Sequence, residues 1–169
     1  MRLFVFMLFS MFSLMAAAVI NMTSVKMYAT APTGRGDLIG TIVFIEAADG
    51  LLIQLNLANL APGPHGFHVH EIPSCDDNGE AAGPHYDPDM TKKHLGPKSL
   101  GHRGDLPLIM ADKNGMATNA LLAPHLSLND LKGHAIMIHE FGDNYSDTPK
   151  KNGGGGPRIA CGIVGDVNS

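Results

Sequence analysis

The sequence has few charges, few cysteines and no tryptophan. Charged side chains make up only 17% of the 169 residues, against about 25% in a typical soluble domain. Acidic residues outnumber basic ones by 16 to 12, which argues against nucleic acid as the main partner. Two cysteines are too few for a disulfide-rich scaffold. Beyond residue 18, apolar side chains nowhere keep a clean helical period over a helix-length stretch, which argues against a helical domain.

Glycine, proline and histidine are instead abundant. The 20 glycines and 11 prolines predict a chain that turns often and forms few long helices. A hydrophobic content of 44% suits one well-packed domain and argues against disorder. Nine histidines in a chain with so few charges raise the prospect of a metal site.

The first 18 residues differ from the rest of the chain. Arg2 precedes the apolar run Leu3–Ala18, which ends in the small residues Ala16–Ala18. This order predicts a secretory signal peptide over residues 1–18, followed by one domain over residues 19–169. An uncleaved membrane anchor is the alternative, but the run is shorter than the ~20 residues that cross a bilayer.

Export would take the two cysteines, Cys75 and Cys161, into an oxidising compartment. One structural disulfide between them is the simplest interpretation. The alternative is a pair of free thiols, one of which binds a metal.

The remaining pattern predicts an all-β fold of about eight strands, because short runs of alternating or β-branched residues are separated by turn signals. The candidate strands are Val25–Thr30, Gly40–Glu46, Leu51–Leu57, Gly66–His70, Leu106–Ala111, Met116–Ala120, Ala135–His139 and Ile159–Gly165. A single helical turn fits within Leu126–Leu131. Two long segments, 71–104 and 140–157, lack any strand pattern, and loops of this length usually have a function.

The strand histidines predict one metal site. His68 and His70 are two residues apart, so on a strand both imidazoles lie on the same face. His139 ends another predicted strand and can supply a third imidazole. Three histidines on β-structure suit copper or zinc.

The first long segment adds a second set of candidate ligands. His85, His94, His102 and Asp105 lie between residues 84 and 105. Three imidazoles and one carboxylate fit a closed, four-coordinate structural zinc site. Solvated loop histidines are the alternative, although they explain one or two such residues better than this density.

Six motifs follow one another along the chain: GFHVH at 66–70, AAGPHYDP at 81–88, KHLGP at 93–97, GHRGDLP at 101–107, MIHEFGDN at 137–144 and GGGGPRIACGIVGD at 153–166. Together they resemble the motifs of copper–zinc superoxide dismutases of the exported, periplasmic bacterial type. The resemblance covers roughly residues 24–167. It implies an eight-stranded Greek-key flattened barrel or sandwich with two long functional loops.

The resemblance also assigns residues to two metals. It implies copper ligands at His68, His70, His85 and His139, and zinc ligands at His85, His94, His102 and Asp105. His85 would then be shared by both ions and would carry a proton during catalysis. Asp143 matches a residue that links His68 to His94 by hydrogen bonds. Arg158 matches the arginine that attracts the anionic substrate, and Cys75 and Cys161 match the family's disulfide.

The function implied by the resemblance is disproportionation of superoxide to oxygen and hydrogen peroxide, as protection outside the cytoplasm. A non-catalytic copper- and zinc-binding module of the same fold is the alternative. The expected partner is the substrate, superoxide. Neither nucleic acid nor, after signal cleavage, a membrane is expected as a partner, and a homodimer is an alternative to a monomer. The chain departs from the family pattern at Pro73 and at Arg103. Arg103 either adds to the positive electrostatic field or faces solvent. Four loop lysines either guide the substrate or keep the loops solvated: Lys92, Lys93, Lys150 and Lys151.

Overall fold

The computed structural model describes residues 20–165, which form nine strands, one short α-helix and two 3₁₀ turns. The strands are β1 (Met22–Ala31), β2 (Gly34–Ala47), β3 (Gly50–Leu57), β4 (Gly63–His65), β5 (Phe67–His70), β6 (Ile109–Ala111), β7 (Ala120–Ala123), β8 (Ala135–His139) and β9 (Arg158–Ile163). The helix α1 is Leu128–Leu131, and the 3₁₀ turns are Asp77–Ala82 and Lys151–Gly154. The predicted signal peptide lies outside the described residues.

Seven strands form one antiparallel sheet in the order β5-β8-β9-β1-β2-β3-β7, and β4 pairs with β6 in a two-stranded sheet. The predicted all-β class is confirmed, as is the single helical turn before β8. The described residues contain one strand more than the expected eight, because the short β4 has too few residues to show an alternating pattern.

One predicted strand was misplaced. The sequence predicts a strand at Met116–Ala120, whereas β7 begins at Ala120 and pairs with the first half of β3. Ala117 makes only an isolated bridge to Leu57. The position of β7 is therefore decided by its pairing with β3, which buries Ala123 opposite Leu51, and not by the local strand propensity of residues 116–120.

The alternating pattern of β3 shows why these strands form. Leu51, Ile53, Leu55 and Leu57 are buried, while the residues between them are exposed. β2 and β3 are joined by a tight turn, with Ala47 opposite Gly50. Gly50 has a φ of +124°, and a side chain there would lie 2.3 Å from the Ala123 carbonyl oxygen, so glycine is required.

β5 and β8 differ from β3 because all their residues are buried. Phe67 and Val69 face the main hydrophobic core, so His68 and His70 point to the opposite side of the sheet. β8 lies beside β5 with Phe67 opposite Ile138. This pairing brings the strand histidines to one face at the edge of the sheet.

The two long segments cover that face. The first is attached to β9 by a disulfide between Cys75 and Cys161, whose Cα atoms are 5.7 Å apart, which confirms the simpler prediction for the cysteines. Both segments contain one of the 3₁₀ turns and no long regular element. Among the residues described, no helix is long and apolar enough to cross a membrane.

Candidate metal centre

Four buried histidines bring their ring nitrogens together beside strands β5 and β8, at the edge of the sheet. One nitrogen from each lies within 4.8 Å of the others in the group His68, His70, His85 and His139. His85 comes from the first long segment and is held opposite His70 by a backbone bridge. The ring of His85 stacks on that of His68, with centroids 3.9 Å apart. This is the group expected for copper.

Hydrogen bonds show which nitrogen of each strand histidine remains free. Nδ1 of His70 donates to the Gly83 carbonyl at 2.9 Å, and Nδ1 of His139 donates to the Gly156 carbonyl at 3.0 Å. Nε2 of His68 contacts a carboxylate oxygen of Asp143 at 2.8 Å. The opposite nitrogen of each ring is buried without a hydrogen-bond partner. Because unpaired buried nitrogens are costly, their convergence fits a bound metal ion.

Burial also keeps these imidazoles neutral. Desolvation lowers the pKa of His68 and His70 well below the ordinary value, with a further decrease from the neighbouring His85. Desolvation lowers the pKa of His139 to about 4. A neutral imidazole is the form that binds a metal, so the site requires little proton release before binding.

The second group is built around Asp105. Its Oδ1 atom lies 3.0 Å from Nδ1 of His85, 2.9 Å from Nδ1 of His94 and 3.4 Å from Nδ1 of His102. Ligand atoms about 2.0 Å from a tetrahedral zinc ion are separated by about 3.3 Å, so the spacing matches a zinc site. The compact cluster at this position contains His68, His85, His94 and Asp105, with His102 at its edge.

Asp105 is ionised and firmly held. Burial raises the pKa of its carboxyl group, but the close His102, His85 and His94 rings outweigh burial and hold the pKa well below its usual range. Its second oxygen accepts the backbone N–H groups of Leu95 and Gly96, both at 3.3 Å. The carboxylate therefore remains charged and oriented toward the three imidazoles.

Asp143 joins the two groups. Its two oxygens accept hydrogen bonds from Nε2 of His68 and Nε2 of His94, each at 2.8 Å. The same carboxylate accepts the backbone N–H of Tyr145 at 2.7 Å. These contacts lower the pKa of Asp143 despite the opposing effect of its burial. The link between His68 and His94 is the one that the resemblance implies.

Two residues that position the site were missed from the sequence. Gly153 lies against Asp143, and a Cβ atom there would be 1.9 Å from its Oδ1 atom. The run of four glycines was a visible signal for such close packing. Asp147 accepts the backbone N–H of His94 at 3.0 Å and that of Asn152 at 3.2 Å. Nothing in the local sequence distinguishes Asp147 from a solvated loop residue.

Arg158 begins β9 beside the copper-type group. It lines a cavity of about 220 Å³ together with His70, His85, His139 and Lys151. Its guanidinium donates to the Gly79 and Gly83 carbonyls and lies 3.7 Å from a carboxylate oxygen of Glu80. The arginine is therefore held rigidly at the wall of the cavity.

The remaining three histidines make structural hydrogen bonds or face solvent. His65 is buried with its ring nitrogens 2.8 Å from the carbonyl oxygens of His139 and Ala61. His134 contacts the carbonyl of Glu71, and His125 is exposed. Each lies outside both metal-type groups of the residues described.

Comparison with known proteins agrees with this geometry. The family model described as copper/zinc superoxide dismutase matches residues 38–164, three quarters of the chain. The chain belongs to this family. A superoxide dismutase [Cu-Zn] of Brucella abortus is 49% identical over 151 residues, covering 84% of this chain and 87% of the relative.

The fold of this chain is also similar to those of solved structures. The Cu/Zn superoxide dismutase from Brucella abortus has a TM-score of 0.81 and 48% identity, covering 85% of this chain and 99% of that one. The monomeric enzyme from Salmonella enterica has a TM-score of 0.75 and 45% identity, covering 85% and 99%. The chain is thus a superoxide dismutase of the copper- and zinc-dependent type, and copper and zinc are its cofactors.

Proposed function

We propose that this chain disproportionates superoxide with copper held by His68, His70, His85 and His139, and zinc held by His85, His94, His102 and Asp105. The observation that carries the assignment is the convergence of unpartnered, buried imidazole nitrogens next to an ionised, buried carboxylate. His68 and His85 belong to both groups, but Nε2 of His68 is paired with Asp143, whereas Nδ1 of His85 lies 3.0 Å from Oδ1 of Asp105. This contact supports the role of His85 as the shared ligand.

The chain's own residues handle substrate and protons. Bound copper supplies the one-electron chemistry, which zinc cannot supply because it has no second accessible oxidation state. Nδ1 of His85 is fixed beside Asp105, so Nε2 is the atom at which this ring can hold a proton. Because His85 also lines the cavity, that proton can be delivered to reduced oxygen bound there.

Arg158 docks the substrate. Superoxide carries one negative charge, and the guanidinium is the fixed cation of the cavity wall. Lys151 lines the same cavity and adds to the attractive field. Arg103 contributes little to that field, because two carboxylates, those of Asp89 and Asp130, pair with its guanidinium.

The enzyme acts outside the cytoplasm, in the periplasm. The features that support this location are the signal-like residues 1–18 and the Cys75–Cys161 disulfide, since such bonds persist in oxidising compartments. After cleavage the domain begins at about residue 19. The sequence left a homodimer as an alternative, whereas the Salmonella enterica relative is described as monomeric.

The test is to load the purified chain, expressed without residues 1–18, with both metals. One copper and one zinc per chain by native mass spectrometry, with rapid superoxide decay in pulse radiolysis, is the expected result. Full metal binding without decay would instead support the non-catalytic metal-binding module.

A further inference from the structure

Arg103 lies inside the segment that carries two of the zinc-type ligands. Nη1 of its guanidinium is 3.0 Å from Oδ1 of Asp130, and Nη2 is 2.6 Å from Oδ2 of Asp89. His102 precedes Arg103, and Asp105 follows it by two residues. Resting on the proposed zinc assignment, we propose that Arg103 is a positioning residue that holds the zinc donors in place before the ion binds.

The turn at His102–Asp105 explains how one side chain can position two ligands. The Asp105 N–H donates to the His102 carbonyl at 3.2 Å, so the ligands are the first and fourth residues of the turn. Gly104, one of the two central residues, donates its N–H to the Tyr86 carbonyl at 2.8 Å. Arg103 is the other central residue, and its side chain supplies the second attachment.

Asp130 is a rigid anchor for this attachment. Its Oδ2 atom accepts the N–H and the hydroxyl of Ser127 at 2.9 and 2.6 Å, which caps helix α1. Its Oδ1 atom receives Arg103 and lies 3.5 Å from the hydroxyl of Tyr86. Because Tyr86 follows His85, the same carboxylate contacts neighbours of two zinc-type ligands.

Asp89 brings in a third stretch of chain. It lies between His85 and His94, and its side chain is 58% exposed, whereas that of Asp130 is 16% exposed. We therefore expect the Asp130 contact to contribute more than the Asp89 contact. Together they let the guanidinium connect the segments that carry His85, His94 and His102.

The geometry requires an arginine more than it requires a positive charge. A guanidinium presents several N–H groups in one plane and can contact two carboxylates at once, whereas a lysine ammonium is a flexible point charge. The two carboxylates also offset its charge, so attraction of an anionic substrate is a poor explanation for its position.

The experiment measures zinc binding rather than turnover. Arg103→Gln, Arg103→Lys and Asp89→Asn are compared with wild type. Arg35→Gln in strand β2, whose guanidinium lies over the Tyr28 ring, is the control outside the zinc-type segment. Zinc affinity is measured by competition with a chromophoric chelator, and ligand geometry by the visible spectrum of the cobalt-substituted protein. Arg103→Gln should weaken zinc binding about tenfold and alter the cobalt spectrum, as for other residues that orient metal ligands. The zinc affinity of Arg103→Lys should lie between those of wild type and Arg103→Gln. Asp89→Asn should lower zinc affinity by no more than about fivefold.

Wild-type affinity and spectrum in Arg103→Gln would overturn the proposal. So would equal losses in the Gln and Lys variants with an unchanged cobalt spectrum, because that result indicates a general loss of stability. His94→Ala separates this proposal from the site assignment. If His94→Ala binds zinc as wild type does, the assignment itself is wrong, whatever the Arg103 variants show.

Discussion

The two metal-type groups lie side by side but are built differently. The copper-type group takes His68, His70 and His139 from strands β5 and β8, whose backbone is fixed by the sheet. The zinc-type group takes His94, His102 and Asp105 from a long segment with little regular structure. A sheet positions ligands through its ladder, whereas a loop must be held by individual side-chain contacts. We therefore expect a substitution on a strand to affect only the ligand it removes, and a substitution in the long segment to affect several ligands.

His139→Ala should give the largest effect, on the copper side alone. Removal of one strand imidazole should reduce superoxide turnover at least about a hundredfold, because a direct ligand matters more than the residues that orient it. The sheet should persist, and zinc should remain bound because His139 belongs only to the copper-type group. Pulse radiolysis and metal analysis check both expectations.

The control for His139→Ala is His125→Ala, at an exposed histidine outside both groups. Wild-type turnover in His139→Ala with copper bound would contradict the assignment. Loss of both metals together would contradict the separation of the two sides.

Gly153→Ala should damage the link between the two sides. A methyl group would lie 1.9 Å from Oδ1 of Asp143 and 2.7 Å from Nε2 of His94. We expect zinc affinity to fall about tenfold to a hundredfold, measured by chelator competition, because Asp143 orients His94. Gly133→Ala is a matched control, because the φ of Gly133 is +76° and that of Gly153 is +73°. A methyl group at Gly133, however, would have no atom within 4 Å.

The two variants share the backbone strain and differ in the clash. Equal zinc affinity in Gly153→Ala and Gly133→Ala would show that the Asp143 link is not needed for zinc binding.

The same contrast explains how much could be predicted from the sequence. His68 and His70 were predictable because alternation on a strand fixes which side chains share a face. The loop ligands were indicated by their residue types and density alone, and the resemblance then assigned them individually, since no periodicity places His94 beside Asp105. The contacts of Asp147 and Arg103 were not predictable, because they join residues distant in sequence, such as Arg103 and Asp130. Strand β7 was misplaced because pairing with β3 overrode its local pattern.

Arg158→Ser should lower the bimolecular rate without removing either metal. Loss of the fixed cation should slow the reaction about tenfold at low salt and flatten its dependence on ionic strength, because screening weakens steering. Arg158→Lys should retain part of the rate. Pulse radiolysis across a salt series with metal-loaded protein measures both effects. If wild type and Arg158→Ser have equal rates and equal dependence of the rate on ionic strength, Lys151 would be the guiding cation of the cavity.

Asp147→Asn should give the smallest effect and test the loop side most directly. The two carboxylate oxygens accept the N–H groups of His94 and Asn152, and an amide can offer an oxygen to only one of them. Loss of one hydrogen bond should weaken zinc binding about threefold, with copper binding unchanged. Asp112→Asn is the control, because Oδ1 of Asp112 alone accepts the N–H groups of both Asn114 and Met116 in a hairpin turn, so an amide there can keep both hydrogen bonds. If both variants bind zinc as wild type does, Asp147 only shapes its loop, and the zinc side is held by fewer contacts than the structure indicates.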